Sequence, residues 1–150
     1  MADVVRNTAE PTNPAYVGPA KWVCWILGAV FILIAILGFF GNDMVFGVFM
    51  VNAAHNWIHL ISGIVLLAMG FATEVAARST CWTFAVIYGI ITILGFLGVP
   101  WLVDLLELNM ADNWLHLLLT IVFVGGALAS QYQVRHRERI APTPTGRGGI

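Results

Sequence analysis

The stretch Asn52-Ala-Ala-His-Asn-Trp-Ile-His59 places two histidines and two asparagines in a chain that is otherwise strongly apolar. A second copy, Asn109-Met-Ala-Asp-Asn-Trp-Leu-His116, follows 57 residues later. Polar and ionisable side chains are costly inside a membrane and usually mark a structural or functional site. The two copies therefore indicate both the internal organisation of the chain and its candidate site.

The composition predicts an all-α membrane protein. Hydrophobic residues make up 59% of the 150 residues and charged residues only 10%, whereas soluble domains carry about a quarter charged residues. The apolar residues form four runs, each with roughly the twenty residues that a helix needs to cross a bilayer. These runs are Trp22–Phe40, Val51–Ala72, Trp82–Val99 and Ala111–Tyr132. We expect a four-helix transmembrane domain over residues 21–134, with disordered tails at 1–20 and 135–150.

The basic residues predict the orientation. All seven lie in the N-terminal tail, the middle loop or the C-terminal tail, which share one side of a four-pass protein. They are Arg6, Lys21, Arg78, Arg135, Arg137, Arg139 and Arg147. By the positive-inside rule, both termini are predicted to be cytoplasmic in the plasma (inner) membrane.

An internal repeat relates the two halves of the chain. Residues 22–73 align with 79–130 without a gap, and Cys24-Trp25 then matches Cys81-Trp82. Each unit holds two crossings, so the repeats are predicted to be parallel helical hairpins around a pseudo-two-fold axis along the membrane normal. The symmetry brings the two cysteines near each other, but a reducing cytoplasm argues against a disulfide.

Helical spacing places each polar cluster on one face of the second or the fourth predicted helix, in the outer half of the membrane. The two-fold axis would make these faces meet. The predicted polar core consists of Asn52, His55, Asn56, His59, Asn109, Asp112, Asn113 and His116.

The favoured interpretation of this core is a structural hydrogen-bond network. Asn56 would bond to His116, Asn113 to His59, and His55 would face Asp112. Such interhelical bonds average about 0.6 kcal/mol. On this interpretation no cofactor is expected. The protein would be an accessory or interaction protein, with the lipid bilayer, further copies of itself or a larger membrane complex as partners.

Three alternatives give the same residues a ligand or a transport role. His55, His59, Asp112 and His116 offer three imidazoles and a carboxylate, a reasonable ligand set for zinc or iron. His59 and His116 could instead be the axial ligands of a haem. A His55–Asp112 pair could also handle protons or small solutes near the outer surface.

Other function classes lack support in the sequence. It contains no nucleophile elbow, phosphate loop or dinucleotide fingerprint, so we predict that the protein is not an enzyme. The one basic run, at Arg135–Arg139, is short and lies beside a membrane segment, which argues against nucleic-acid binding.

The motifs His55-Asn-x-x-His59 and Asp112-Asn-x-Leu-His116 together resemble those of a bacterial four-pass membrane family, described as a domain of unknown function. The resemblance covers about residues 20–134 and leaves out both tails. It implies a plasma-membrane protein with four helices and no established reaction.

Overall fold

Four long helices account for most of the residues that the computed structural model describes, which are residues 10–41 and 43–140. The helices are α1 Pro19–Phe40, α2 Ala53–Phe71, α3 Glu74–Phe96, the short α4 Pro100–Leu106, and α5 Met110–Ile140. Two short strands, β1 Met44–Val45 and β2 Phe49–Met50, pair antiparallel between α1 and α2. The predicted all-α class is confirmed apart from this small hairpin.

The four long helices identify a multi-pass membrane protein by length and composition. Their most apolar windows have mean hydropathies between 1.4 and 2.8. Large apolar side chains also cover their outer faces: Trp22 is 56% exposed, Ile26 57% and Leu33 54%. Apolar surface of this extent is unfavourable in water, whereas lipid solvates it.

The helices pack in two pairs around an apolar core. α1 makes most of its contacts with α2, and α3 with α5, while fewer contacts join the two pairs. Cys24 and Cys81 lie at the contact between α1 and α3, fully buried and reduced, with their Sγ atoms 3.9 Å apart. Phe31, Phe84 and Phe123 fill the core beside them.

The two helices of each pair are joined at the same end of the molecule, but by different structures. This end, formed by residues 43–55 and 97–113, is called the histidine end. Met44–Val51 joins α1 to α2, and Trp101–Leu108 lies between α3 and α5. The first forms the β1–β2 hairpin, because Phe46 and Gly47 both adopt positive φ angles in its turn. The second forms α4, because Pro100 begins it with a pre-set helical φ angle.

At the opposite end, the basic end, formed by residues 10–21, 72–80 and 130–140, a buried carboxylate caps α1. Glu74 is fully buried and accepts hydrogen bonds from the backbone amides of Gly18 at 3.0 Å, Ala20 at 2.9 Å and Lys21 at 3.3 Å. An anion at a helix N-terminus satisfies free amides and complements the helix dipole. The carboxylate therefore ties the start of α1 to the start of α3.

The middle loop is shorter than the gap between the predicted runs Val51–Ala72 and Trp82–Val99. α3 begins at Glu74, because the hydroxyl of Thr73 accepts a hydrogen bond from the amide of Ala76 and caps the helix. Only Ala72 and Thr73 separate α2 from α3.

The predicted tails lie partly outside the described residues. Within the described part, Tyr16 is only 4% exposed, and its carbonyl accepts a hydrogen bond from the amine of Lys21. α5 continues to Ile140.

Candidate functional site

Three histidines converge at the histidine end. His55 and His59 stand one turn apart on α2, and His116 reaches them from α5. One ring nitrogen from each lies within 4.8 Å of the others. The ring centroids of His55 and His59 are 4.5 Å apart, and those of His55 and His116 are 6.0 Å apart. The structure thus brings together all three histidines of the predicted core, and none is more than 6% exposed.

One nitrogen of each histidine ring is without a hydrogen bond among the described residues. Nδ1 of each of the three histidines is buried and has no hydrogen-bond partner among the described residues. A buried polar atom without a partner costs about 1–3 kcal/mol, and such atoms often indicate an ion or water that binds there. His55 also interacts with the backbone of Met50 and Leu106, which helps to orient its ring.

The histidines line a small closed cavity. Its volume is about 10 Å³, room for a single water-sized species. Val45 and Phe49 line it from the β1–β2 hairpin, and Val51 lines it from the residues between this hairpin and α2. The other lining residues are Ile34, His55, His59, Asp112, Leu115 and His116.

Asp112 lines this cavity but is held mainly as a helix cap. Its Oδ2 accepts a hydrogen bond from the amide of Asn109 at 3.0 Å, while Oδ1 of Asn109 accepts one from the amide of Asp112 at 2.9 Å. This reciprocal pair is a capping box. The carboxylate is 2% exposed and lies on the cavity wall, but it does not belong to the group of converging ligand atoms.

The predicted clasp between asparagines and histidines is wrong. Asn56 packs against Gly38 of α1, and Asn113 against Gly95 of α3, so closely that a Cβ at either glycine would overlap the amide. Oδ1 of each asparagine is buried and unpartnered among the described residues. Each asparagine therefore fills a gap within its own helix pair instead of bonding across to a histidine.

The other two asparagines join the two helix pairs. Nδ2 of Asn52 donates to the carbonyl of Leu105 at 2.9 Å, and Nδ2 of Asn109 donates to the carbonyl of Val48 at 2.7 Å. Oδ1 of Asn52 also accepts from the amide of His55 at 2.9 Å, which caps α2. Sequence reasoning placed both residues in the core but missed these bonds, because backbone acceptors leave no sequence signal.

Aromatic rings form the floor of the site, which sequence reasoning also missed. Phe31 of α1 packs on His59, and Tyr88 of α3 packs on His116, both with ring centroids 5.3 Å apart. Phe31 and Tyr88 contact each other at 5.6 Å. Their separation by 57 residues, the same as that of the motifs, could have identified them.

Replacing Asn52 with alanine should lower the free energy of unfolding by about 1.5–2 kcal/mol, since it removes both the cap of α2 and the bond to Leu105. Asn52→Ser should lose only about half of this, because serine still caps a helix but cannot reach across. Unfolding followed by circular dichroism in detergent would check both values. An unchanged free energy of unfolding for Asn52→Ser would contradict a bond that joins the helix pairs.

One protein family matches most of the chain. The family described as Domain of unknown function (DUF4383) matches residues 21–129, which include α2, α3, most of α1 and α5, and the three histidines. The chain belongs to this family. No curated protein and no solved structure matched the chain. The expected resemblance is thus confirmed as far as a domain of unknown function with four candidate membrane helices.

Proposed function

We propose that this protein binds one divalent transition-metal ion inside the membrane, with His55, His59 and His116 as ligands. The observation that carries the proposal is the convergence of three buried imidazoles whose Nδ1 atoms have no hydrogen-bond partner within residues 10–41 and 43–140. Imidazole is a ligand for zinc, copper, iron and nickel. Zn²⁺ is the first candidate, because histidine-rich tetrahedral sites suit it.

The geometry is close to that of a loaded site. Zn–N bonds are about 2.0–2.1 Å, so ligand nitrogens around a tetrahedral ion stand roughly 3.3 Å apart. The nitrogens here lie within 4.8 Å of one another, and small rotations of the rings would close the difference. Asp112 on the cavity wall, or a water molecule, would supply the fourth ligand. Phe31 and Tyr88, packed on two of the rings, would hold the imidazoles in place.

A metal ion suits this site better than haem or a purely structural network. The cavity of about 10 Å³ admits one ion but not a macrocycle, and His55 and His116 already lie in ring contact. A structural network is less favoured because Asn56 and Asn113 pack against glycines instead of bonding to the histidines.

The same small volume supports a binding role instead of a catalytic one, since a substrate would find no space beside the ion. We therefore propose an accessory membrane protein whose distinctive property is a buried metal ion. The β1–β2 hairpin, which contributes Val45 and Phe49 to the cavity wall, would cover that ion.

We further propose that the protein is a four-helix bundle of two tandem hairpin repeats. Equivalent positions make equivalent contacts, which supports the repeat. The matched contacts are Asn52–Leu105 with Asn109–Val48, Gly38–Asn56 with Gly95–Asn113, and Phe31–His59 with Tyr88–His116. The described basic residues all lie at the basic end, which supports cytoplasmic termini in the plasma membrane.

Metal analysis tests the proposed function. Full-length protein purified in detergent, loaded with Zn²⁺ and desalted, should retain one equivalent of zinc by mass spectrometry. His116→Ala should lose it, while His136→Ala should keep it, because His136 is exposed on α5 outside the cluster. Zinc retained equally by all three proteins, or by none, would overturn the proposal.

A further inference from the structure

A polar groove opens at the basic end, far from the histidines. It lies between the start of α3 and the last turns of α5 and has a volume of about 360 Å³. Its lining residues are Arg78, Trp82, Gln131, Val134 and Arg135. Two arginines thus flank one opening at the basic end.

Both arginines lack a polar partner among the residues that the structure describes. Neither Arg78 nor Arg135 has a hydrogen bond or an ion pair in the part of the chain that the structure describes, residues 10–41 and 43–140. Arg137, by contrast, lies over the ring of Tyr16, 5.0 Å from its centroid. A guanidinium presents five donors in a planar fork that fits phosphate oxygens.

The equivalent positions in the first half of the chain include a carboxylate that the groove lacks. The positions 57 residues before Arg78 and Gln131 are Lys21 and Glu74. There the Glu74 carboxylate supplies an internal anion, held by backbone amides at the start of α1. Gln131, in the matching position, carries no charge. The groove therefore has two cationic side chains and, at the position equivalent to Glu74, an uncharged amide.

We propose that this groove binds the phosphate of an anionic phospholipid. Basic pockets between transmembrane helices bind such headgroups, and Trp82, 39% exposed, lies where indole rings meet the membrane interface. Val86, one turn further along α3 and 60% exposed, continues the groove with an apolar surface for an acyl chain. That apolar continuation favours a lipid over free phosphate.

The test compares single substitutions in full-length protein in phosphatidylcholine nanodiscs, with phosphatidylglycerol binding measured by native mass spectrometry. Arg135→Gln and Arg78→Gln should each weaken binding about fivefold, since each basic residue near the surface contributes about 1 kcal/mol. Gln131→Glu should weaken it at least as much, because it restores an internal anion. Arg139→Gln, four residues along the same helix and exposed, should leave binding unchanged.

Three outcomes would overturn the proposal, provided that each variant melts like the wild type in pure phosphatidylcholine. Equal weakening by Arg135→Gln and Arg139→Gln would show diffuse attraction to a charged surface. Displacement of the lipid by millimolar inorganic phosphate would show a site for free phosphate. Equal binding of phosphatidylglycerol and added phosphatidylcholine would show no anion selectivity. Zinc binding plays no part in any of these results.

Discussion

Replacing His59 with alanine should lower the affinity for Zn²⁺ roughly a hundredfold. Zinc sites with four ligands bind with about 10–16 kcal/mol, so one ligand accounts for roughly 3 kcal/mol. His59 contributes one of three converging nitrogens. Of the two rings beside it, Phe31 has no ligand atom and His55 is already a ligand of the proposed site. Competition with a chromophoric chelator would measure the loss.

The thermal response should change in parallel. Zinc at a hundred times its dissociation constant stabilises a protein by about 2.7 kcal/mol, and the same concentration should give His59→Ala less than about 1 kcal/mol. His136→Ala should respond like the wild type. If His59→Ala lowered the stability of the metal-free protein while zinc stabilised all three proteins equally, the imidazoles would serve packing alone.

Glu74→Ala should be the most destabilising substitution at the basic end, costing about 3 kcal/mol or more. Hydrogen bonds to a charged group each contribute about 1.5–3 kcal/mol. The Glu74 carboxylate accepts three of them from backbone amides that would otherwise be left buried and unpaired. Unfolding of the full chain in detergent, followed by circular dichroism, would measure this cost.

Two further variants make that measurement specific. Glu74→Gln keeps the shape but turns one acceptor into a donor that faces amide donors, so its cost should be intermediate. Asp104→Ala removes a carboxylate that is exposed on α4 and should change stability by less than about 0.5 kcal/mol. A wild-type melting curve for Glu74→Ala would show that the carboxylate does not hold α1.

Apolar run lengths were enough to predict the four long helices, because crossing a bilayer sets both their length and their composition. The same reasoning ended the second run at Ala72 and began the third at Trp82, which left Glu74 outside both helices, whereas the third helix begins at this residue. A carboxylate is costly to bury without partners, and its partners here are backbone amides from the start of α1. Backbone donors of a distant segment cannot be recognised in a sequence.

Helical spacing predicted the face that His55, His59 and His116 share, but not the neighbours of every residue on it. An arc of about 100° contacts more than one adjacent helix, so Asn56 and Asn113 could face either the opposite cluster or their own partner helix. Each asparagine faces its own partner helix, because Gly38 and Gly95 have no side chain and leave the space that the amide fills. Their role becomes visible only when the helices are packed.

The central claim is that His55, His59 and His116 together bind one metal ion. Zinc-edge X-ray absorption on the loaded full-length protein tests it most directly. The proposed site predicts three imidazole nitrogens and one oxygen at about 2.0–2.1 Å, with the imidazole scattering reduced in His59→Ala. A shell of oxygen ligands alone, or a spectrum that is the same in the wild type and His59→Ala, would contradict it.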